Sequence, residues 1–294
     1  MLQSRLVKTS TSIVILRGGG DLASGVALRL HRVGIKVVIT EIAQPLAVRR
    51  LVSFAEAVYS GAMAVEGITA RLIDTPSMAS EVLERDEIPV LVDPNATVLH
   101  SDFCIRALVD ARMTKKSPDL GMEAAPLVIG LGPGFWASQN CHAAIETNRG
   151  HTLGRVYWQG APESDTGIPA AVARKQSERV LRAPTAGLLH TLVDIGAWVK
   201  QGDLLSTVAD QPIHAPFSGL LRGFLHDGLP VTAGMKIGDI RIEFNGEFDA
   251  LQTIFKSLAR YAEEKGGVDR QAHLFSRLHR LAGLLRGNAL SNGV

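Results

Sequence analysis

Cysteine is nearly absent. Cys104 and Cys141 are the two thiols among 294 residues, too few for a disulfide framework in a chain this long and without the spacing of a metal site. That argues against a disulfide-stapled secreted scaffold, predicts no metal ligands, and makes a reducing compartment, the cytoplasm, the expected location. An excess of one charge is also missing. Lysine and arginine total 31 against 29 acidic residues, a net +2, so no global field draws the molecule to nucleic acid or to a membrane surface. Any ligand has to be recognised locally. Long apolar runs are lacking too: Ile13 to Leu16 near the start is too short for a signal-peptide core and far below a membrane span.

What is present is a hydrophobic content of 46%, normal for a protein that buries real cores. The run Ile13 to Leu16 ends in glycines, and Leu22 to His31 carries apolar residues at helical intervals until Gly34. KVVIT follows, a β-branched run typical of a buried parallel strand, and it ends at Glu41. Further apolar runs at Ile88–Val92 and Pro126–Ile129, with helix-like material from Phe103 to Met113 between them, predict strands alternating with helices in a doubly wound, Rossmann-like parallel sheet. Residues 1–161 are therefore expected to form an α/β cofactor-binding domain, and 162–178 an exposed linker.

The run RGGGDLASGVA, Arg17 to Ala27, places Gly18, Gly20 and Ala23 in a G-x-G-x-x-A arrangement. Glycine lets the backbone turn tightly against a pyrophosphate, and a small third residue lets helix and strand pack closely. The helix beginning near Leu22 then aims free amides and the positive end of its dipole at phosphate oxygens. Arg17 adds a charge, and Glu41 at the next strand end is placed to accept bonds from ribose hydroxyls. Asp21 is either a helix cap or a ligand contact. The expected cofactor-binding set is Arg17, Gly18, Gly19, Gly20, Asp21, Leu22, Ala23 and Glu41, extended by Gly132 and Gly134 of the second glycine loop and by Arg149 and His151 of ETNRGH. Cys141 beside His142 reads as a buried small residue in preference to a reactive thiolate pair.

Beyond the linker lies an internal repeat. Ala183, Pro184, Gly187, Leu188, Leu189, Gly196, Val199 and Gly202 recur 32 positions later as Ala215, Pro216, Gly219, Leu220, Leu221, Gly228, Val231 and Gly234. Units of this size cannot each bury a face alone, so the two halves are expected to pair in one small β domain over 179–244. From Phe248 the spacing turns helical, which predicts a helical segment over 245–294.

Taken together, RGGGDLASGVALRLHRVGIKVVITEI, PLAVRRLVSFAEAVY, IGLGPGF and IETNRGHTLGRV resemble the YqeB family of selenium-dependent molybdenum hydroxylase maturation proteins, across roughly residues 12 to 240. The resemblance implies an XdhC-like nucleotide-binding domain and a chaperone-like maturation role. It also implies a molybdenum cofactor or molybdopterin dinucleotide as ligand and a molybdenum hydroxylase apo-enzyme as partner. The repeat looks like a biotinyl or lipoyl barrel-sandwich hybrid. Its hairpin, VADQPI, lacks the lysine that biotin or lipoate needs, so an unmodified barrel is expected, and Met235–Lys236 falls at the wrong end of the second half. An NAD(P)-dependent oxidoreductase using the same turn is an alternative, although Tyr59, Tyr157 and Tyr261 have no lysine four places on. A non-catalytic nucleotide-sensing adaptor is a second alternative. A small phosphate-bearing ligand is common to all three readings, and a homo-oligomer is left open.

Overall fold

β1 (Ser12–Arg17) is a strand because five consecutive side chains from Ile13 onward can be buried, alternately on both faces of a sheet. Val14 and Leu16 enter one hydrophobic core, and Ile13 and Ile15 enter the other. The computed structural model describes residues 12–148, 150–165 and 179–241. By contacts the chain divides into Met1–Ile242 and Glu243–Val294. Most of the linker expected at 162–178 and all of the helical segment expected at 245–294 lie outside the described residues, which leave out 166–178 and 242–294.

After β1 come α1 (Asp21–Arg32), β2 (Lys36–Glu41), α2 (Ala57–Ser60), β3 (Ala62–Val65), β4 (Ile68–Ile73), α3 (Ala79–Glu84), β5 (Ile88–Val92), β6 (Cys104–Asp110), β7 (Val128–Leu131), β8 (Ala143–Ile145) and β9 (Val156–Tyr157). They build one nine-stranded sheet in the order β3-β4-β5-β2-β1-β6-β7-β8-β9. The strands from β4 to β8 pair in parallel, and β3 and β9 add antiparallel edges. From β1 the chain places β2 beside it, crosses to the edge at β3, returns through β4 to β5 next to β2, and then places β6 on the other side of β1. This strand-order reversal beside β1 opens a crevice at the carboxyl ends, where ligands of open α/β sheets sit.

α1 packs Ala23, Ser24, Ala27 and Leu28 against the sheet. Asp21 stands in its first turn and Arg29, His31 and Arg32 in its last, each complementing the helix dipole. Gly34, at φ +80°, ends it.

The repeat region comprises β10 (Val180–Arg182), β11 (Gly187–Thr191), β12 (Trp198–Val199), β13 (Leu204–Val208), β14 (Gln211–His214), β15 (Gly219–Phe224), β16 (Pro230–Val231) and β17 (Lys236–Arg241). They form two four-stranded sheets, β10-β17-β15-β12 and β14-β13-β11-β16. These strands pair antiparallel throughout, and each sheet draws strands from both halves of the repeat. Their core of Leu189, Leu205, Leu221, Ile237 and Ile240 is continued by Val48 and Tyr59 of the first region. Tyr59 donates to the Pro45 carbonyl at 2.9 Å and stacks on His226 at 4.2 Å. Burial and the carboxylates of Glu56 and Glu41 push its phenol up to about 12.

The expected fold class, a Rossmann-like parallel sheet followed by a barrel-sandwich hybrid, is corrected by this architecture, while the helical tail expected with it lies outside the described residues. The described residues are mostly strand with few helices. The large sheet is mixed, α1 is the one helix in it longer than six residues, and the repeat region is a pair of four-stranded sheets. The connection from β6 to β7 carries Pro118, Gly121 and Pro126, and that from β7 to β8 carries Gly132, Pro133 and Gly134. Such breakers prevent a covering helix. Of residues 103–113, expected to be helix-like, 104–110 form β6: parallel pairing with β1 and the β-branched Ile105 and Val109 outweigh a helical spacing of apolar residues.

Candidate functional site: a cleft above the glycine turn

The three glycines after β1 have three different environments. Gly18 takes φ +90°, donates its N–H to the Thr40 carbonyl at 2.8 Å, and lies where a Cβ would stand 3.2 Å from Arg112 Cα. Gly19 donates to Glu41 Oε2 at 2.7 Å and accepts from the Ala55 N–H at 2.8 Å, and a Cβ there would meet Ala55 N at 2.8 Å. Gly20 has open space where a Cβ would project, with nothing within 4 Å. The turn is therefore closed by protein contacts at its first two positions and open at the third.

α1 starts directly after Gly20 with no side-chain cap, and the bond from Ser24 N–H to the Gly20 carbonyl, 2.8 Å, begins its ladder. The amides of Asp21, Leu22 and Ala23 consequently have no intrahelical acceptor. The Ser24 hydroxyl donates to the Gly19 carbonyl at 3.1 Å and accepts from the Phe54 N–H at 2.8 Å, which fixes the turn against the segment after β2.

Over this helix start lies a cleft of about 530 Å³. Gly18, Gly20, Asp21, Leu22, Ala23 and Glu41 line one wall. Residues 45–49 and Ser53 line another, Ala111 to Thr114 a third, and Lys236 enters from β17. A larger hollow of about 670 Å³ sits beside Ile13, Lys36 and Phe103, at the amino ends of β1, β2 and β6, the opposite edge from the one where such sheets hold ligands.

The charges of the cleft are mostly paired. Arg49 contacts Asp21 at 3.2 Å. Arg112 donates to Asp110 at 2.6 Å and to Asp119 at 2.5 Å. Burial opposes the Arg112 charge, but these two carboxylates outweigh it and hold its pKa above the ordinary arginine value. Glu41 accepts from Gly19 through one oxygen and from the Ile42 N–H, 2.8 Å, through the other. Burial still pushes its carboxyl above the usual range, against those bonds and the Arg112 charge.

Six of the expected residues, Gly18, Gly20, Asp21, Leu22, Ala23 and Glu41, come together on the cleft, with Gly19 just behind them. Arg17 is 1% exposed and not part of the wall. It holds Asp119 through two bonds of 2.7 and 3.0 Å and donates to the Pro94 carbonyl at 3.0 Å, so its guanidinium supports the β6–β7 connection. Gly132 and Gly134 shape backbone instead of lining the cleft: Cβ atoms there would meet Thr147 Oγ1 at 2.5 Å and the Lys116 carbonyl oxygen at 2.2 Å. His151 is exposed on a turn away from the cleft, and Arg149 lies outside the described residues. Glu146, fully buried, accepts from the N–H groups of Thr147, Asn148 and Glu163 and so folds its own loop. Cys141 is buried with its thiol pushed up by burial, while His142 Nδ1 accepts from the Val128 N–H.

Sequence reasoning missed Arg49, Arg112, Met113, Thr114 and Lys236. Arg49 sits inside PLAVRRLVSFAEAVY and was visible there as a charge next to an apolar run. Arg112 carried no local signal. Met113 and Lys115 take φ +55° and +60° without being glycine, a strained turn that composition does not announce.

The Asp119 carboxyl is held well below its ordinary 3.8, by Arg17 first and then, against some burial, by Arg112. A carboxyl depressed in the folded state stabilises the fold above its unfolded pKa and loses that contribution as pH falls through the interval below it. Asp119→Asn is expected to flatten the decline of stability below about pH 4, as read by urea unfolding of both proteins at neutral and acid pH.

No family model matches the chain. It is similar to the uncharacterized protein YqeB of Escherichia coli (strain K12), with 45% identity over 230 residues, 78% of this chain and 42% of that protein. The chain thus spans less than half the length of this relative, and the identity supports a YqeB-like label. Among solved structures, the ectoine utilization protein EutE (DoeB) of Ruegeria pomeroyi is 11% identical with a TM-score of 0.24, over 80% of this chain and 87% of that one. An aspartoacylase family protein of Mesorhizobium loti is 10% identical with a TM-score of 0.23, over 79% and 84%. A succinylglutamate desuccinylase/aspartoacylase of Rhodobacter sphaeroides is 13% identical with a TM-score of 0.23, over 79% and 88%. Likeness at this level assigns neither activity nor ligand. Among the described residues no helix is long and apolar enough to cross a membrane, and no three His, Cys, Asp or Glu side chains are grouped to hold a metal ion.

Proposed function

We propose that the cleft binds a phosphate-bearing, nucleotide-like cofactor and that the chain is a cytoplasmic maturation factor for a selenium-dependent molybdenum hydroxylase. In this reading it holds molybdenum cofactor or molybdopterin dinucleotide for modification or for transfer to the apo-enzyme. One observation carries the reading: an uncapped helix of twelve residues opens onto a 530 Å³ cleft at the switch point of the sheet. Free amides and the helix dipole at such a place select an anion.

The residues present fit a phosphate group. Gly20 leaves the backbone bare where a ligand oxygen approaches, and Lys236 adds a cation to a wall whose arginines are paired with carboxylates. Glu41 uses one acceptor site on each oxygen, leaving two sites for hydroxyl or ring N–H donors of a ribose or a pterin. When bound, the cofactor supplies the metal and pterin chemistry. This chain's own part is to fix the phosphate at α1, orient the remainder along residues 45–49 and Ala111 to Thr114, and exclude bulk water between the two regions. The similarity to YqeB supports the maturation role through the family resemblance, since that relative's own name assigns no activity.

Mass spectrometry of small molecules released from the full chain, purified natively from molybdate-supplied cells, tests the reading. A pterin phosphate or pterin dinucleotide is the expected species. A nicotinamide nucleotide in its place would replace the maturation role with an oxidoreductase, and an empty protein that also ignores added pterin would overturn the proposal.

A further inference from the structure

We infer that Lys236, contributed by the repeat region, is the anion anchor of the cleft, so that the repeat region completes the ligand site in addition to packing beside it. The inference rests on reading the cleft as an anion site and adds a recognition residue and a role for the second region. The argument is one of charge pairing. Both arginines on the cleft wall are already partnered, Arg49 by Asp21 at 3.2 Å and Arg112 by Asp110 and Asp119. Among the described residues, Lys236 is the cation on that wall with no hydrogen bond and no ion pair. An unpaired lysine lining the same cleft as the first residues of α1 is placed for a negative ligand.

The lysine is held in place by its backbone. It opens β17, paired with Arg182 of β10, and the next residue, Ile237, is fully buried in the repeat core. A register shift between Leu181 and Arg182 bulges β17 at Ile237, which fills the repeat core while Lys236 stays exposed and reaches the cleft wall. The turn before it is closed by Met235 N–H on the Thr232 carbonyl at 3.0 Å, with Gly234 at φ +79°. Behind it, Arg179 and Arg222 both contact Asp239. Lys236 is exposed to solvent. Partial desolvation by the surrounding protein, with the two arginines and against Asp239 and Asp21, lowers its pKa. A bound anion would stabilise the charge that this environment disfavours.

The test is isothermal titration calorimetry of the full chain with inorganic pyrophosphate and with ADP, at low and at physiological salt. Lys236→Met is expected to weaken pyrophosphate binding about tenfold or more, the scale of one lost charge-assisted bond, and to reduce the salt dependence. Lys236→Arg is expected to retain most of the affinity, and both variants to melt as the parent does, which a merely structural lysine would not produce. If Lys236→Met binds like the parent while Gly20→Val does not bind, the inference is overturned and the anion site stands. If the parent binds neither probe, the anion site itself falls and the inference with it.

Discussion

Gly20→Val is expected to remove binding of phosphate-bearing ligands and to leave the fold intact. Gly20 takes φ −64° and ψ −179°, a conformation open to any residue, and a Cβ there meets no atom within 4 Å. The cost inside the protein is limited to a poorer helix cap, on the order of 1 kcal/mol. The new side chain instead fills the space over the first amides of α1. If a phosphate accepts two or three of those amides, at about 1.5–3 kcal/mol each, affinity falls by roughly a hundredfold or more. Calorimetry with ADP and a parallel thermal melt separate the two effects. Binding of ADP by the valine variant at parental strength would place the anion elsewhere. The neighbouring Gly19→Ala serves as the contrast, because its Cβ would press on Ala55 N at 2.8 Å and is expected to lower stability first.

Gly134→Ala is expected to cost stability and then the cleft. Gly134 sits at φ +100°, and a Cβ would stand 2.2 Å from the Lys116 carbonyl oxygen and 2.8 Å from its carbon. These are backbone atoms, so no rotamer change relieves the contact. The strained φ and the forced shift together cost about 3 kcal/mol or more, equivalent to a melting temperature lower by roughly 6 to 12 °C in a protein of this size. The displaced segment is the continuation of Ala111 to Thr114, one wall of the cleft. Ligand affinity should therefore fall together with stability, whereas Gly20→Val separates the two. Circular dichroism melts and calorimetry of the same preparation distinguish these patterns, and an alanine variant that melts like the parent would show the loop to be free to move.

The glycine turn was legible because its signal is local. Strand, bend, small residue and helix follow one another within Ile13 to His31, and each is required by contacts over a few residues. The acid at Glu41 was legible by its distance from Gly18, although its structural work of holding the Gly19 and Ile42 amides was not. Arg17 read as a free charge next to that turn because its partner Asp119 is 102 positions away. GLGPGF read as a second ligand loop because glycine has the same signature whether it admits a phosphate or a neighbouring backbone. At Gly134 the occupant is Lys116, and at Gly130 it is the ring of Phe135.

Sequence by itself determined the opening strand–turn–helix, the 32-residue repeat and the acid at the end of β2, since propensity, periodicity and identity are written along the chain. Tertiary structure decided what lies between them. It made 104–110 a strand next to β1, left the later crossovers without helices, paired Arg112 and Arg17 with Asp119, and brought Lys236 of β17 to a cleft whose glycines lie more than two hundred residues earlier. The physical reason is that charge pairing and close approach depend on distance in space, and sequence separation carries no record of either until the sheet is closed.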